Sequence, residues 1–344
     1  MTMNKINSKK IITYLLSLLA AAALMYFSFK DVKWADFLST LKQCKWGCIL
    51  ASMVAGVLAF WFRGMRWREL ILPIDPSMPK LASFNAVNIG YLANFVFPRI
   101  GEFVRCGYIT SNSQDGEDGR KLASYDKVIG TAVLERSWDM VMMILIFVVL
   151  LLFKWSKFGA FVMDNMFAPL AGRFDTSAVV LIVAALVVLS AAGVGAIWAV
   201  YKFRERNALC AKLFGLVDGV FKGLSSCVRM ERKWPFFAYT FLIWLMYYLM
   251  SLFTMNAIPS LSELNGVDAL FLMIAGSLGW LVPVPGGFGA FHYIVALALS
   301  TIYSLGFADG IVFATLSHEA QAVTMILFGL VSFLYESFKK SPKA

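Results

Sequence analysis

The stretch Asn94-Phe95-Val96-Phe97-Pro98-Arg99-Ile100-Gly101-Glu102-Phe103-Val104-Arg105 follows an apolar run, residues 81–97, that is too short to cross a bilayer. A spanning helix needs about 20 apolar residues. The run holds 17 and carries Asn85, Asn88 and Asn94. Pro98 has no N–H and cannot extend the helix, so carbonyls before it lose their partners. Open backbone of this kind is tolerated at membrane depth only inside protein or beside water. Arg99 then falls at the tip of a broken helix pair, residues 81–110. A charge at the bilayer centre costs about 2.5–3.5 kcal/mol on insertion scales, so an arginine there needs a purpose. Arg99, Glu102 and Arg105 follow at intervals of three, which lets neighbours pair on one helix face. Arginine also suits bidentate phosphate binding. The competing reading is an ordinary cytoplasmic helix start with surface charges.

Composition places this segment in a membrane. The chain has 344 residues, 60% hydrophobic and only 15% charged, where a soluble domain carries about a quarter charged. The mean hydropathy is +0.72. Disordered chains and sheet-based nucleotide folds are excluded. Six runs read as full spans, residues 11–29, 46–62, 128–153, 178–201, 235–258 and 310–337. A retained first helix fits residues 11–29 better than a cleaved signal peptide, because the run is long and further spans follow. Residues 207–230 place Leu209, Leu213, Leu216, Val217, Val220, Leu224 and Val228 on one helical stripe, the pattern of an interfacial amphipathic helix.

Residues 266–303 mirror residues 81–110. An apolar run of 17 residues breaks at Pro283-Val284-Pro285-Gly286-Gly287 and a second short helix follows. If each broken pair enters and leaves on one side, the cytoplasmic face carries 23 Lys and Arg and the outer face 7. That asymmetry puts both termini in the cytoplasm. The expected fold is an all-α polytopic membrane protein, one integral domain over residues 1–344. It has about six spans plus two re-entrant broken pairs, arranged as inverted repeats over residues 11–153 and 178–337. Matching breaks in two inverted halves point to a transport site near the membrane midplane. Six unrelated spans with two Pro/Gly interruptions is the plainer alternative.

Further polar residues lie in apolar runs. Glu135 and Asp139 are four apart with Arg136 between them. They are either a structural triad below the headgroups, partners for Arg99 or Arg105, or proton-coupling carboxylates. The glycine-rich segment at Pro285, Gly286 and Gly287 lacks the Lys-Ser/Thr of a nucleotide loop. A break that turns a helix N-terminus toward an anion suits it better. His292 follows one turn later, and His318 stands beside Glu319 in the last span. Histidines so far apart in sequence give no reason to expect a metal. Cys44, Cys48, Cys106, Cys210 and Cys227 lack zinc-motif spacing. Neither a cofactor nor a nucleic-acid partner is expected.

The Asn-x-x-x-Pro-Arg-x-Gly-Glu segment from Asn94, Glu135-Arg136-x-x-Asp139 and Pro283-x-Pro285-Gly286-Gly287-x-Gly289 resemble the lysylphosphatidylglycerol synthase transmembrane-region family of flippase-like proteins. Arg63-x-x-x-Trp67 fits the same family. The resemblance covers residues 10–335. It implies an inverted-repeat fold and movement of lipids between leaflets, aminoacyl-phosphatidylglycerol flipping being the family's theme. It carries site roles onto Arg99, Glu102, Glu135, Arg136 and Asp139. Many relatives have Glu where this chain has His292. The family's synthases add a soluble aminoacyl-transfer domain, and only about seven residues follow the last span here.

The expected function is therefore a bacterial-type inner-membrane transporter of an anionic phospholipid or polyprenyl-phosphate-type lipid, not an enzyme. Self-association into a homo-oligomer stays open. Nothing resembles an ATPase, so an ion gradient or the lipid's own gradient would supply the drive. The alternatives are a membrane-embedded lipid-modifying enzyme and a non-transporting assembly partner of an envelope enzyme.

Overall fold

A computed structural model describes residues 8–30, 32, 34–97, 99–117, 119–153, 202, 232–282 and 284–340. Pro98, Pro283, the expected fourth span at 178–201 and the expected interfacial helix at 207–230 lie outside the described residues. Among the described residues every regular element is helical: α1 (Ser8–Phe29), α2 (Trp34–Gln43), α3 (Trp46–Ile71), α4 (Lys80–Val96), α5 (Gly101–Asn112), α6 (Tyr125–Phe153), α7 (Lys233–Ala257), α8 (Gly266–Leu281), α9 (Ala290–Tyr303) and α10 (Phe307–Lys340). Short 3-10 turns occupy Pro259–Leu261 and Pro285–Gly287. Among the described residues four helical stretches are long and apolar enough to cross a membrane: Trp46–Ile71, Lys233–Ala257, Pro285–Tyr303 and Phe307–Lys339. The chain is an integral membrane protein on that evidence.

Two compact units divide the chain. One comprises residues 1–132 and 232–344, the other residues 133–231. The first is built on α3 and α7. Ala55 and Ala59 of α3 pack on Met246 and Met250 of α7, and Gly56 faces the Met250 side chain. Small residues on one helix let the other approach closely, which is how helices associate where lipid removes the hydrophobic drive. Ser52 Oγ donates to the Met250 carbonyl at 3.2 Å and lies 3.2 Å from Thr254 Oγ1, so the hydroxyls are satisfied between the helices. The outward side of α3 shows Leu50, Val54, Leu58 and Trp61, and α10 shows Val331, Phe333, Leu334 and Phe338. Apolar side chains facing outward along whole helices match a lipid surround.

The second span expected at residues 46–62 runs on to Ile71. Arg63 and Arg66, beyond the expected end at residue 62, continue the helix, and both are buried. Arginine is a good helix former, and these two find partners inside the fold. Arg63 Nη1 donates to Tyr247 Oη at 3.0 Å, and the Arg66 guanidinium lies 5.9 Å from the Phe236 ring centroid. Cys44, Cys48 and Cys106 are free thiols, so no disulfide joins the first two.

Candidate functional site

Two helix pairs are interrupted where the sequence predicts. In the first, α4 ends at Val96, Phe97 turns extended at φ −134°, and Arg99 takes φ 61° before α5 begins at Gly101. A left-handed backbone at a non-glycine residue costs about 1–2 kcal/mol, and such strain collects at functional positions. Asn94 Oδ1 accepts the Gly101 N–H at 2.7 Å, so the asparagine closes the gap and caps the incoming helix. A Cβ at Gly101 would run into the Gly90 carbonyl oxygen, so α5 folds back against α4 with no room between. Glu102 Oε2 accepts from Arg105 Nε at 2.7 Å, and the buried Arg105 guanidinium lies 4.3 Å over the Trp67 ring. The Glu102–Arg105 pair expected from spacing is thus formed, and Arg105 helps anchor α5 to α3.

In the second pair, α8 ends at Leu281 and α9 begins at Ala290. Between them Gly286, Gly287 and Gly289 take φ of 57°, 73° and 78°, a run that side chains would strain. Gly289 also lies against the Leu24 and Met25 backbone of α1, and Ser28 Oγ lies 3.3 Å from the Gly289 carbonyl.

The two breaks meet. The Phe95 and Phe288 rings approach to 6.1 Å between centroids, and a Cβ on Gly286 would touch Phe95. Arg99 Nη2 donates to the Leu281 carbonyl at 2.5 Å, a group left open where α8 stops. Among the described residues no carboxylate lies within ion-pair distance of Arg99.

Each pair is also tied at its far end by a buried aspartate. Asp75, before α4, accepts from Ser113 Oγ at 2.6 Å and from the Gln114 N–H at 3.2 Å, just beyond α5. Burial pushes the Asp75 carboxyl up, but hydrogen bonds from Ser113, Ser77 and Gln114 outweigh it and hold it below the usual carboxylate range. In the second pair Asp268, in the first turn of α8, accepts from Tyr303 Oη at 2.9 Å at the end of α9. Asp268 also completes a capping box with Asn265.

Beneath the second break the two histidines come together. The ring centroids of His292 and His318 are 5.0 Å apart, although 26 positions separate the residues in sequence. His318 Nε2 lies 2.8 Å from the Gly286 carbonyl, which only accepts, so Nε2 carries a proton. Its Nδ1 lies 3.0 Å from Glu319 Oε1.

Of the residues singled out by sequence, Asn94, Arg99, Glu102, Arg105, Pro285, Gly286, Gly287 and His292 lie in one unit, in the two broken pairs. Pro98 lies outside the described residues. Glu135, Arg136 and Asp139 belong to the other unit, on α6. There Arg136 Nη1 pairs with Asp139 Oδ2 at 3.4 Å, as their spacing allows, and Glu135 is buried. Sequence reasoning missed Asp75 and Asp268 as ties, and it set His318 and Glu319 aside. The available signals were the Asn265-x-x-Asp268 capping pattern and an ionisable pair inside an apolar run.

An integral membrane protein of α-helices, in which two interrupted helix pairs meet at their breaks, is the class that this fold defines. The chain belongs to the family described as the lysylphosphatidylglycerol synthase TM region, whose family model matches residues 14–329. No curated protein and no solved structure matches it.

Proposed function

We propose that this protein moves an anionic lipid, an anionic phospholipid or a polyprenyl-phosphate-type lipid, between the leaflets of a bacterial-type inner membrane. In this reading it is a flippase-like transporter rather than an enzyme, with six spans, two re-entrant pairs in inverted repeats and both termini cytoplasmic. Membership of a lipid-related membrane family supports the substrate class. The observation that carries the reading is Arg99. It stands at a strained backbone position between α4 and α5, exposed, and gives one of its five N–H donors to the opposing break. The remaining donors suit a lipid phosphate, and the nearby N-terminus of α5 adds its partial positive charge. Glu102 is engaged by Arg105, so it does not cancel Arg99. The lipid tails would stay in the bilayer while the headgroup passes the meeting point of the breaks.

The test is native mass spectrometry of the lipids that co-purify with wild type, Arg99→Ala and Arg99→Gly. Glycine accepts the φ of 61° without strain, so Arg99→Gly removes the guanidinium and keeps the turn. A charged hydrogen bond is worth about 1.5–3 kcal/mol. One anionic lipid class enriched in wild type should fall roughly 10-fold or more in both variants, with Arg99→Gly still folded and monodisperse. The same lipid mixture in all three proteins would overturn the site. Vesicle translocation assays with the enriched lipid then test movement itself.

A further inference from the structure

We propose that His292, His318 and Glu319 form a binding site for a divalent transition-metal ion of the zinc class. The three residues offer ligand atoms that all lie within 4.8 Å of one another. Glu319 Oε1 is 3.0 Å from His318 Nδ1 and 3.6 Å from His292 Nε2. Zinc binds nitrogen and oxygen at about 2.0–2.1 Å in a tetrahedron, which sets ligand atoms about 3.3 Å apart. The two measured edges bracket that value, so small side-chain shifts seat an ion.

Three further observations favour a metal over a simple hydrogen-bonded cluster. First, His292 is fully buried, its Nδ1 makes no hydrogen bond, and its Nε2 reaches only the Glu319 carboxylate, at a long 3.6 Å. Leaving such a group unsatisfied costs about 1–3 kcal/mol. A metal bond from Nε2 would remove part of that cost. Second, the Gly286 carbonyl holds the Nε2 proton of His318, so Nδ1, which shares a proton with Glu319 Oε1 at 3.0 Å, is the nitrogen that a metal would take in place of that proton. Metal-ligating histidines almost always have their second nitrogen held this way. Third, the rings of Trp280, Phe288 and Phe291 surround His318, and Phe29 and Phe291 flank His292. That apolar shell keeps water away from the two imidazoles. Glu319 is 42% exposed and supplies the entry path and room for a fourth ligand, a water. Two imidazoles and one carboxylate with an open position form a donor set that zinc takes. The ion would pin α9 to α10 under the second break. This inference does not depend on lipid transport.

The experiment uses the full chain, purified through a tag without histidine, stripped with chelator and titrated with Zn2+ and with Co2+. The chain's only two histidines are both in the site, so imidazole-bound Co2+ reports on it alone. One equivalent should bind per chain, with the intense visible bands of four-coordinate Co2+, no thiolate charge-transfer band, and a higher melting temperature with Zn2+. In Glu319→Gln affinity should fall by about 10–100-fold or more, and added Zn2+ should no longer raise the melting temperature above the variant's own metal-free value. His292→Gln gives a second test, since its contact with Glu319 is a long 3.6 Å and its Nδ1 makes no hydrogen bond that the change would remove. Absence of stoichiometric binding, a thiolate band, or wild-type affinity in both variants would overturn the site.

Discussion

At the first break the backbone turns on an arginine with φ 61°, whereas at the second the positive φ values fall on Gly286, Gly287 and Gly289. The first therefore holds strain and a charge, and the second holds neither. Their polar groups are complementary. The first presents a donor, the Arg99 guanidinium. The second presents acceptors, the Leu281 carbonyl facing Arg99 and the Gly286 carbonyl facing His318. A broken membrane helix must satisfy its freed backbone within the protein. Here one break satisfies part of the other. The glycine break is shaped to fit, and the arginine break is held in place by Asn94 and by the close approach of Gly101 to Gly90. The difference teaches that a charged side chain is held at a break by a backbone given no alternative.

The largest effect is expected from removing that constraint. Gly101→Ala puts a methyl group into the Gly90 carbonyl and the Asn94 side chain, where backbone has to move. Overpacking a tight contact costs about 1–3 kcal/mol, and backbone overlap lies at or above the upper end. A sharp fall in monodisperse protein in detergent should result. If Gly101→Ala purifies and melts like wild type, the first break is not held by helix contact. An intermediate effect is expected at the far end of the second pair. Tyr303→Phe removes the hydrogen bond to the buried Asp268 carboxylate, worth about 1.5–3 kcal/mol. A correspondingly lower melting temperature should follow, and no change would mean that the second pair is held by packing alone. The smallest effect separates the two ties by pH. Asp75 is held below its ordinary value, so its contribution is complete above the unfolded carboxyl pKa of about 3.9 and is lost as pH falls through the folded value. Melting temperatures of wild type and Asp75→Asn, scanned from pH 7 to pH 3, should converge at the acid end. Curves that stay parallel would show that the tie does not depend on charge.

Much of the architecture was legible because hydropathy and proline chemistry are local. Residues 81–97 and 266–282 announce short helices by length alone, and the structure ends them at Val96 and Leu281. The Glu102–Arg105 and Arg136–Asp139 pairs also follow from helical spacing. The end of α3 did not follow. Arg63 and Arg66 lie beyond the end at residue 62 that hydropathy sets, and only the packing of Tyr247 and Phe236 against α3 made them interior residues. The same holds for His292 and His318. Each alone is an unremarked polar residue in an apolar helix, and no local rule joins positions 26 apart on different helices.

By itself the sequence determined a helical membrane protein, the places where two helices must break, and the residue types found there. Length, apolar content and a missing proline N–H act within a few residues, so they need no partner to be read. Only the tertiary structure decided that the breaks face each other, that each pair is closed by a buried aspartate, and that two histidines and a glutamate converge under the glycine turn. Those outcomes depend on how helices far apart in the chain pack side by side, and close packing is a property of pairs of surfaces that no single stretch of sequence carries.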